Sequence, residues 1–330
     1  MSVFVAVGPP TLCPPRAKVY LYPMTRSVPE LSLKAFTHGD AAERTAFSDA
    51  MMHGLQDYGF FVLKDHGVPL ELLRRAYAEA EGLFALPEAT KRQYAKGMRG
   101  YTPFGVEHAK DSGHPDLKEF WQVGHDPSPE AGADLEPNVW PVEAPGVQAA
   151  FSQLFGALNE TGIVLLRALA PKLGLADNWF NDKVRYGTSL LRVLHYPPLA
   201  PDAHPNAVRS AAHEDINFLT IMVAARGAGL ELLDRDGTWL PVAAEPTNLI
   251  VDSGDMLARM TNGVIPATTH RVVNPTGPNV SRYSMPFFMH PTLETSLAVL
   301  ESCVGEGAKF EPVTAGAFLD ERLRAIGLKS

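Results

Sequence analysis

Between about residue 185 and residue 290 the chain is cut into short apolar runs by turn signals such as Asp236-Gly237 and Asn262-Gly263. No other feature limits the possible folds as strongly. Runs this short fit buried or half-buried strands better than helices, and Asn-Gly and Asp-Gly supply the positive φ that tight hairpins require. A series of such strands buries its faces most economically as a jelly roll or barrel.

Before this stretch the periodicity is different. Ala46, Phe47, Ala50, Met51, Gly54 and Leu55 recur at helical spacing within 41–57, and Pro69 to Leu86 reads as a second helix stopped by Pro87. Between them, Gly59-Phe60-Phe61-Val62-Leu63 is a buried strand that turns at Asp65-His66-Gly67. Residues 98–146, with many Gly, Pro and His, read as loops that would carry Tyr101, Phe104, Phe120 and Trp121. Phe151, Leu154, Phe155, Leu158, Ile163, Leu165, Leu166 and Leu169 form the apolar face of a long helix within 145–174. Residues 296–330 return to a helical period, and the Pro-rich residues 1–30 are expected over the surface. The expected class is α+β with a mainly β core, a barrel or jelly roll braced by N-terminal, central and C-terminal helices. It is laid out as 1–145, 146–295 and 296–330 within one compact unit.

Composition narrows the partners. The 330 residues carry a net charge of −8 and no basic stripe, which speaks against nucleic acid. There is no run of roughly 18 apolar residues, so no membrane span is expected. The N-terminus lacks the basic region of a signal peptide. Cys13 and Cys303 are too few for a disulfide framework and suit a reducing compartment. The expected setting is cytoplasmic and the expected partner a small molecule. Oligomeric state is not written in the sequence.

Chemistry concentrates in Ala212-His213-Glu214-Asp215-Ile216 and Thr268-Thr269-His270-Arg271. Side chains two apart on a strand share a face, so His213 and Asp215 point together while Glu214 turns away. His270 follows 55 residues after Asp215, room for four or five short strands that bring it back to the same mouth. Two imidazoles and one carboxylate match the facial triad that holds non-haem Fe(II) and leaves positions open for oxygen and a cosubstrate. A His-x-Asp pair alone is common by chance, and the surroundings add the weight. Arg282-Tyr283-Ser284 puts a guanidinium and a hydroxyl on one strand face, suited to gripping a carboxylate. Alternatively, an internal Asp or Glu answers the charge of Arg282.

Arg192, Leu194 and Tyr196 also alternate onto one face, where Tyr196 is either a third member of the clamp or a core tyrosine. Phe288 shares the face of Arg282 and is a substrate-pocket wall or core packing. Arg192 either binds an anionic substrate or sits in an ion pair. His108, His114 and His125 are too irregularly spaced for a second metal. Asp252, Asp255 and Thr261-Asn262-Gly263 read as structural.

These residues, together with Gly229-Leu-Glu-Leu-Leu, Gly254-Asp255-Met-Leu, Thr261-Asn262-Gly263 and His270-Arg-Val-Val, follow the order seen in the isopenicillin N synthase-like Fe(II)/2-oxoglutarate-dependent dioxygenases. The chain resembles that family from about Val28 to Pro291. Tyr58-Gly-Phe-Phe-Val, His66-Gly-Val-Pro, Arg99-Gly-Tyr101 and Asp116-Leu-Lys-Glu119 are similar to its N-terminal region. The resemblance implies a double-stranded β-helix with Fe(II) held by His213, Asp215 and His270. It implies 2-oxoglutarate and O2 as cosubstrates, the far carboxylate of the oxoacid meeting Arg282, Ser284 and Tyr196. A C–H bond of a small molecule would be hydroxylated, desaturated or cyclised, with release of succinate and CO2 and no catalytic residue beyond the iron ligands.

Arg-x-Ser also occurs in the family's oxidases, which use O2 without 2-oxoglutarate and grip a substrate carboxylate instead. His213-Glu214-Asp215 looks like the tripeptide of isopenicillin N synthase, so on the sequence that alternative stays open. Leu194-His195-Tyr196-Pro197 departs from the Asn-Tyr-Tyr-Pro of many plant members, and the Leu194 side chain offers no hydrogen bond.

Overall fold

The computed structural model describes residues 26–107, 114–128, 135–204 and 206–325. Most of the Pro-rich start, Cys13 and His108 fall outside them. β1 (Glu30–Ser32), α1 (Leu33–His38) and α2 (Ala41–Tyr58) lead into β2 (Phe60–Lys64). Asp40 starts α2 with a capping box: its carboxylate accepts from the Glu43 amide, and Glu43 accepts from the Asp40 N–H. α3 (Leu70–Phe84) ends just before the expected Pro87 stop, and α4 (Glu88–Arg92) follows.

The stretch read as loops holds three strands, β3 (Ala95–Lys96), β4 (Arg99–Thr102) and β5 (Glu119–Gly124). β5 pairs with β6 (Leu190–Tyr196) through Phe120↔Leu194 and Gln122↔Arg192. It escapes a sequence reading because it is buried on both faces and so shows no apolar–polar alternation. Trp121 is fully buried on it and Tyr101 nearly so on β4, which makes both core residues rather than loop residues.

After α5 (Gly146–Leu169) and α6 (Asn181–Val184), the β-rich stretch resolves into β6, β7 (Ser210–His213), β8 (Leu219–Arg226), β9 (Leu230–Leu233), β10 (Trp239–Pro241) and β11 (Leu249–Ser253). Then come α7 (Asp255–Met260), β12 (His270–Val272), β13 (Arg282–Met289) and α8 (Ala315–Ala325). The helical period read over 296–330 is realised in α8 and a single turn at Glu301–Cys303.

Two sheets result, a larger one in the order β1-β2-β11-β8-β13-β6-β5-β4-β3 and a smaller one in the order β10-β9-β12-β7. The eight strands β6 to β13 pass between them as a double-stranded β-helix. Strand alternation creates two cores. Leu191, Val193, Ile221, Val223, Met285 and Phe287 face the helices, whereas Leu194, Met222 and Ile250 face Leu230, Leu232 and Val272 of the smaller sheet.

α5 braces the first core. Phe151, Leu154, Leu158, Leu165, Leu166 and Leu169 are fully buried, a gross stabilisation on the order of 10 kcal/mol before ordering entropy is subtracted. At Gly162 it comes so close to β13 that a Cβ would lie 2.6 Å from Met289 Sδ. By length and composition Gly146–Leu173 would also suit a membrane span, yet 56% of its apolar window is buried inside this core.

Candidate active site

β7 and β12 lie side by side in the smaller sheet, with His213 and His270 in register and their ring centroids 4.4 Å apart. Four strands, β8 to β11, fill the interval between Asp215 and His270. Asp215 itself is not on a strand, because β7 ends at His213. Its convergence with His213 therefore does not come from strand alternation. The loop that carries it is held by the start of α7, where the Asp255 N–H donates to Asp215 O at 2.7 Å and the Met256 N–H to Ile216 O at 3.1 Å. Only glycine fits at 254, since a Cβ there would lie 2.4 Å from Asn217 O and 2.8 Å from Asp215 O. Asp255 also pairs with Arg322 at 2.9 Å, which agrees with its structural reading.

Nε2 of His213 stands 3.7 Å, and Nε2 of His270 3.8 Å, from Asp215 Oδ1. All three ligand atoms lie within 4.8 Å of one another, and no other such cluster occurs among the described residues. His114 and His125 belong to none. Each histidine donates its Nδ1–H to the carbonyl two residues upstream, His213 to Ala211 at 2.8 Å and His270 to Thr268 at 3.1 Å. That fixes the tautomer and leaves the Nε2 lone pairs for a metal. Burial first, and then His270, lower His213 to about 4, so its imidazole is neutral near pH 7. Although burial opposes it, His270, His213 and the Thr220 hydroxyl hold Asp215 below the usual carboxylate range. Thr220 donates to Asp215 Oδ2 and accepts from Asn217 Nδ2 at 2.9 Å. Two imidazoles with their Nε2 atoms free and an oriented carboxylate fit Fe(II).

Asp252, read as structural, proves to line the same cavity. Burial, followed by the charge of Asp215, pushes its carboxyl well above the ordinary range.

The cavity runs between the sheets and, counted with its opening to solvent, spans about 520 Å³. Arg192 and Tyr196, four residues apart on β6, mark ends separated by roughly 13 Å. At the Tyr196 end, Arg282 is 2% exposed, and its guanidinium lies 5.0 Å from the centre of the Tyr196 ring. Its Nε and Nη1 are buried without a partner among the described residues. Among the described residues no internal carboxylate answers its charge, and an unpaired buried cation is costly. Ser284 lines the cavity nearby, with its hydroxyl 3.1 Å from Met222 Sδ. This end fits an incoming carboxylate.

The Arg192 end is already neutralised. Arg192 Nη1 meets Glu107 Oε1 at 2.9 Å and its Nη2 meets Gln122 Oε1 at 3.1 Å. Lys118 Nζ lies 2.8 Å from both Glu107 Oε2 and Asp116 Oδ2, and 3.2 Å from Ser210 Oγ. Asp116 Oδ1 accepts from the Ala211 N–H at 2.9 Å, which ties the network to β7. Burial opposes each charge, yet Arg192 and Lys118 hold Glu107 far below its ordinary range, and the two carboxylates raise Lys118. Of the two readings of Arg192, the ion pair is the one realised. Its guanidinium lies 4.2 Å from the centre of the Phe120 ring and 5.4 Å from that of Phe288. Phe288 is half-buried and lines the cavity, so it is a wall rather than core packing. Sequence reasoning gave no role to Glu107 or Lys118. Asp116-Leu-Lys-Glu119 was a visible signal, but its partner Arg192 is remote in the chain.

A measurable consequence follows from His290, which is 7% exposed and has Nδ1 buried without a partner. Burial lowers it to about 4. Unfolded histidine titrates near 6.5. Between those values the unfolded chain binds a proton that the folded protein refuses, so stability falls as pH drops from about 6.5 to 4. The slope is about 1 kcal/mol per pH unit for each such histidine, His213 included. Urea unfolding of the metal-free protein across this window should show that slope, and His290→Phe should reduce it. An unchanged slope in the variant would refute the assignment.

Comparisons with known proteins come from both halves of the chain. The non-haem dioxygenase in morphine synthesis N-terminal family matches residues 28–143, and the 2OG-Fe(II) oxygenase superfamily matches residues 187–291. Proline hydroxylase buaE of Petromyces alliaceus is 30% identical, over 90% of this chain and 98% of its own. A crystal structure assigned to the 2OG-Fe(II) oxygenase family, from Caulobacter crescentus, superposes with a TM-score of 0.81 at 41% identity, covering 90% of this chain and 98% of that one. A full-length Neurospora crassa protein, solved in complex with alpha-KG and thymine, superposes with a TM-score of 0.82 at 26% identity, covering 90% and 96%.

Proposed function

This chain belongs to the 2OG-Fe(II) oxygenase superfamily, and on that premise we propose that His213, Asp215 and His270 hold its iron while Arg282, Ser284 and Tyr196 clamp the far carboxylate of 2-oxoglutarate. The enzyme is a 2-oxoglutarate-dependent dioxygenase that uses Fe(II) and O2. An oxidase that dispenses with the oxoacid is not favoured by these relatives. When bound, iron supplies the redox chemistry that couples decarboxylation of 2-oxoglutarate to oxidation of a substrate C–H bond. The protein's part is placement. The two Nδ1–H bonds aim the imidazoles, Thr220 aims Asp215, and Leu194, Met222 and Leu230 keep the space between clamp and metal apolar.

Relatives are named for, or solved with, proline, validamycin A and thymine, so membership alone leaves the substrate open. The wall formed by Lys118 and Arg192, each paired with Glu107 and Lys118 also with Asp116, supports a small polar substrate without net charge, neutral or zwitterionic. What carries this reading is that the wall's two cations and two carboxylates are satisfied by one another. A net anion entering there would have to break an ion pair, and removing one partner of a buried pair costs about 3–5 kcal/mol. A panel of size-matched compounds scored by succinate release should show neutral or zwitterionic members preferred by at least about tenfold over anions. Glu107→Gln, which frees a cation, should narrow that preference. Better turnover of anions by the parent protein would sink the substrate class.

A further inference from the structure

Arg282 is not the lone buried cation beside Tyr196. We infer that Arg209 is a second guanidinium directed at the far carboxylate of the oxoacid, and that it enforces selection of a dicarboxylate over a monocarboxylate cosubstrate. The inference rests on the clamp role proposed for Arg282.

Arg209 immediately precedes β7 and is 3% exposed. Its Nη2 donates to Val280 O at 2.7 Å, two residues before Arg282, and its backbone N–H donates to Asn274 Oδ1 at 3.1 Å. The guanidinium is thereby fixed beside the chain entering β13, where Arg282 stands opposite Tyr196 in register. Nε of Arg209, like Nε and Nη1 of Arg282, is buried and unpartnered among the described residues. Neither arginine has an ion-pair partner among them. Burial, and then nearby Arg282, pull Arg209 below its ordinary range, while the Tyr196 phenol acts the other way.

The contrast with the wall formed by Arg192 and Lys118 is informative. There each buried cation meets a carboxylate of the protein. Here two like charges are buried close together, with three guanidinium nitrogens unpartnered among the described residues, an arrangement that folding by itself disfavours. A carboxylate has two oxygens and about four acceptor sites, enough for one bond from each guanidinium together with a serine and a tyrosine hydroxyl. A cosubstrate with a methyl group in place of that carboxylate would satisfy none of them. Selection then comes from groups left unpaired by the wrong ligand, the strong form of polar discrimination.

The test is calorimetric binding to the anaerobic Fe(II)-loaded protein, with 2-oxoglutarate and with 2-oxopentanoate, which lacks the far carboxylate. Arg209→Met should weaken 2-oxoglutarate about tenfold or more and leave 2-oxopentanoate unchanged, with Arg209→Lys in between. Equal weakening of both oxoacids would mark Arg209 as a structural strut, and no weakening would mark it as irrelevant. Either result overturns the inference. Arg209→Gln keeps a donor for Val280 O and supplies the same comparison should the Met variant fold poorly. A parent protein that binds no 2-oxoglutarate would overturn the clamp itself, a failure distinct from an unaffected Arg209→Met.

Discussion

Asp215→Ala is expected to abolish succinate release and to leave the protein with well under one equivalent of iron after anaerobic reconstitution. Asp215 is the sole carboxylate of the triad, and its Oδ1 faces both Nε2 atoms at 3.7 and 3.8 Å. Removing it leaves two imidazoles and no negative charge from the triad to favour a divalent ion. Thr220→Val calibrates the effect, because it removes only the hydroxyl that orients the carboxylate. Changes of that kind typically cost about 10–100-fold in metal affinity or activity, and loss of the ligand should exceed them. Full iron occupancy in Asp215→Ala would show that the metal is held elsewhere.

Arg282→Met should raise the KM for 2-oxoglutarate roughly a hundredfold or more, since each bond to a charged group is worth about 1.5–3 kcal/mol and a guanidinium offers two to one carboxylate. The same variant should unfold at or above the parent's temperature when no oxoacid is present. In that state Arg282 is a buried cation with no ion-pair partner among the described residues, and replacing it by an apolar side chain of similar length removes a cost. A simple core residue would behave oppositely, with loss of stability and an unchanged KM. An unchanged KM for 2-oxoglutarate with a raised KM for the primary substrate would reassign the pair to a substrate carboxylate.

Much of this site is legible before any folding is known. The spacing from Asp215 to His270 and the punctuation at Asp236-Gly237 and Asn262-Gly263 already require short strands that return to one mouth. Arg282 and Ser284 declare a carboxylate because strand period places them together, and β13 does so. Period also hides things. β5, buried on both faces, carries no alternation and reads as loop. Asp215 would follow from the strand rule, yet it lies beyond the strand and is placed by α7 and the space that Gly254 leaves.

What the sequence by itself determined is therefore the periodic and the local: the helices, the strand-rich core, and the kinds of side chain offered to a metal and a carboxylate. Tertiary structure alone decided which charges are already answered. Arg192 finds Glu107 across 85 positions, whereas Arg282 and Arg209 find no carboxylate among the described residues. The physical reason is that a charge's partner is set by sheet register and by which loops fold over which face. Those are long-range quantities, and no period in the chain records them.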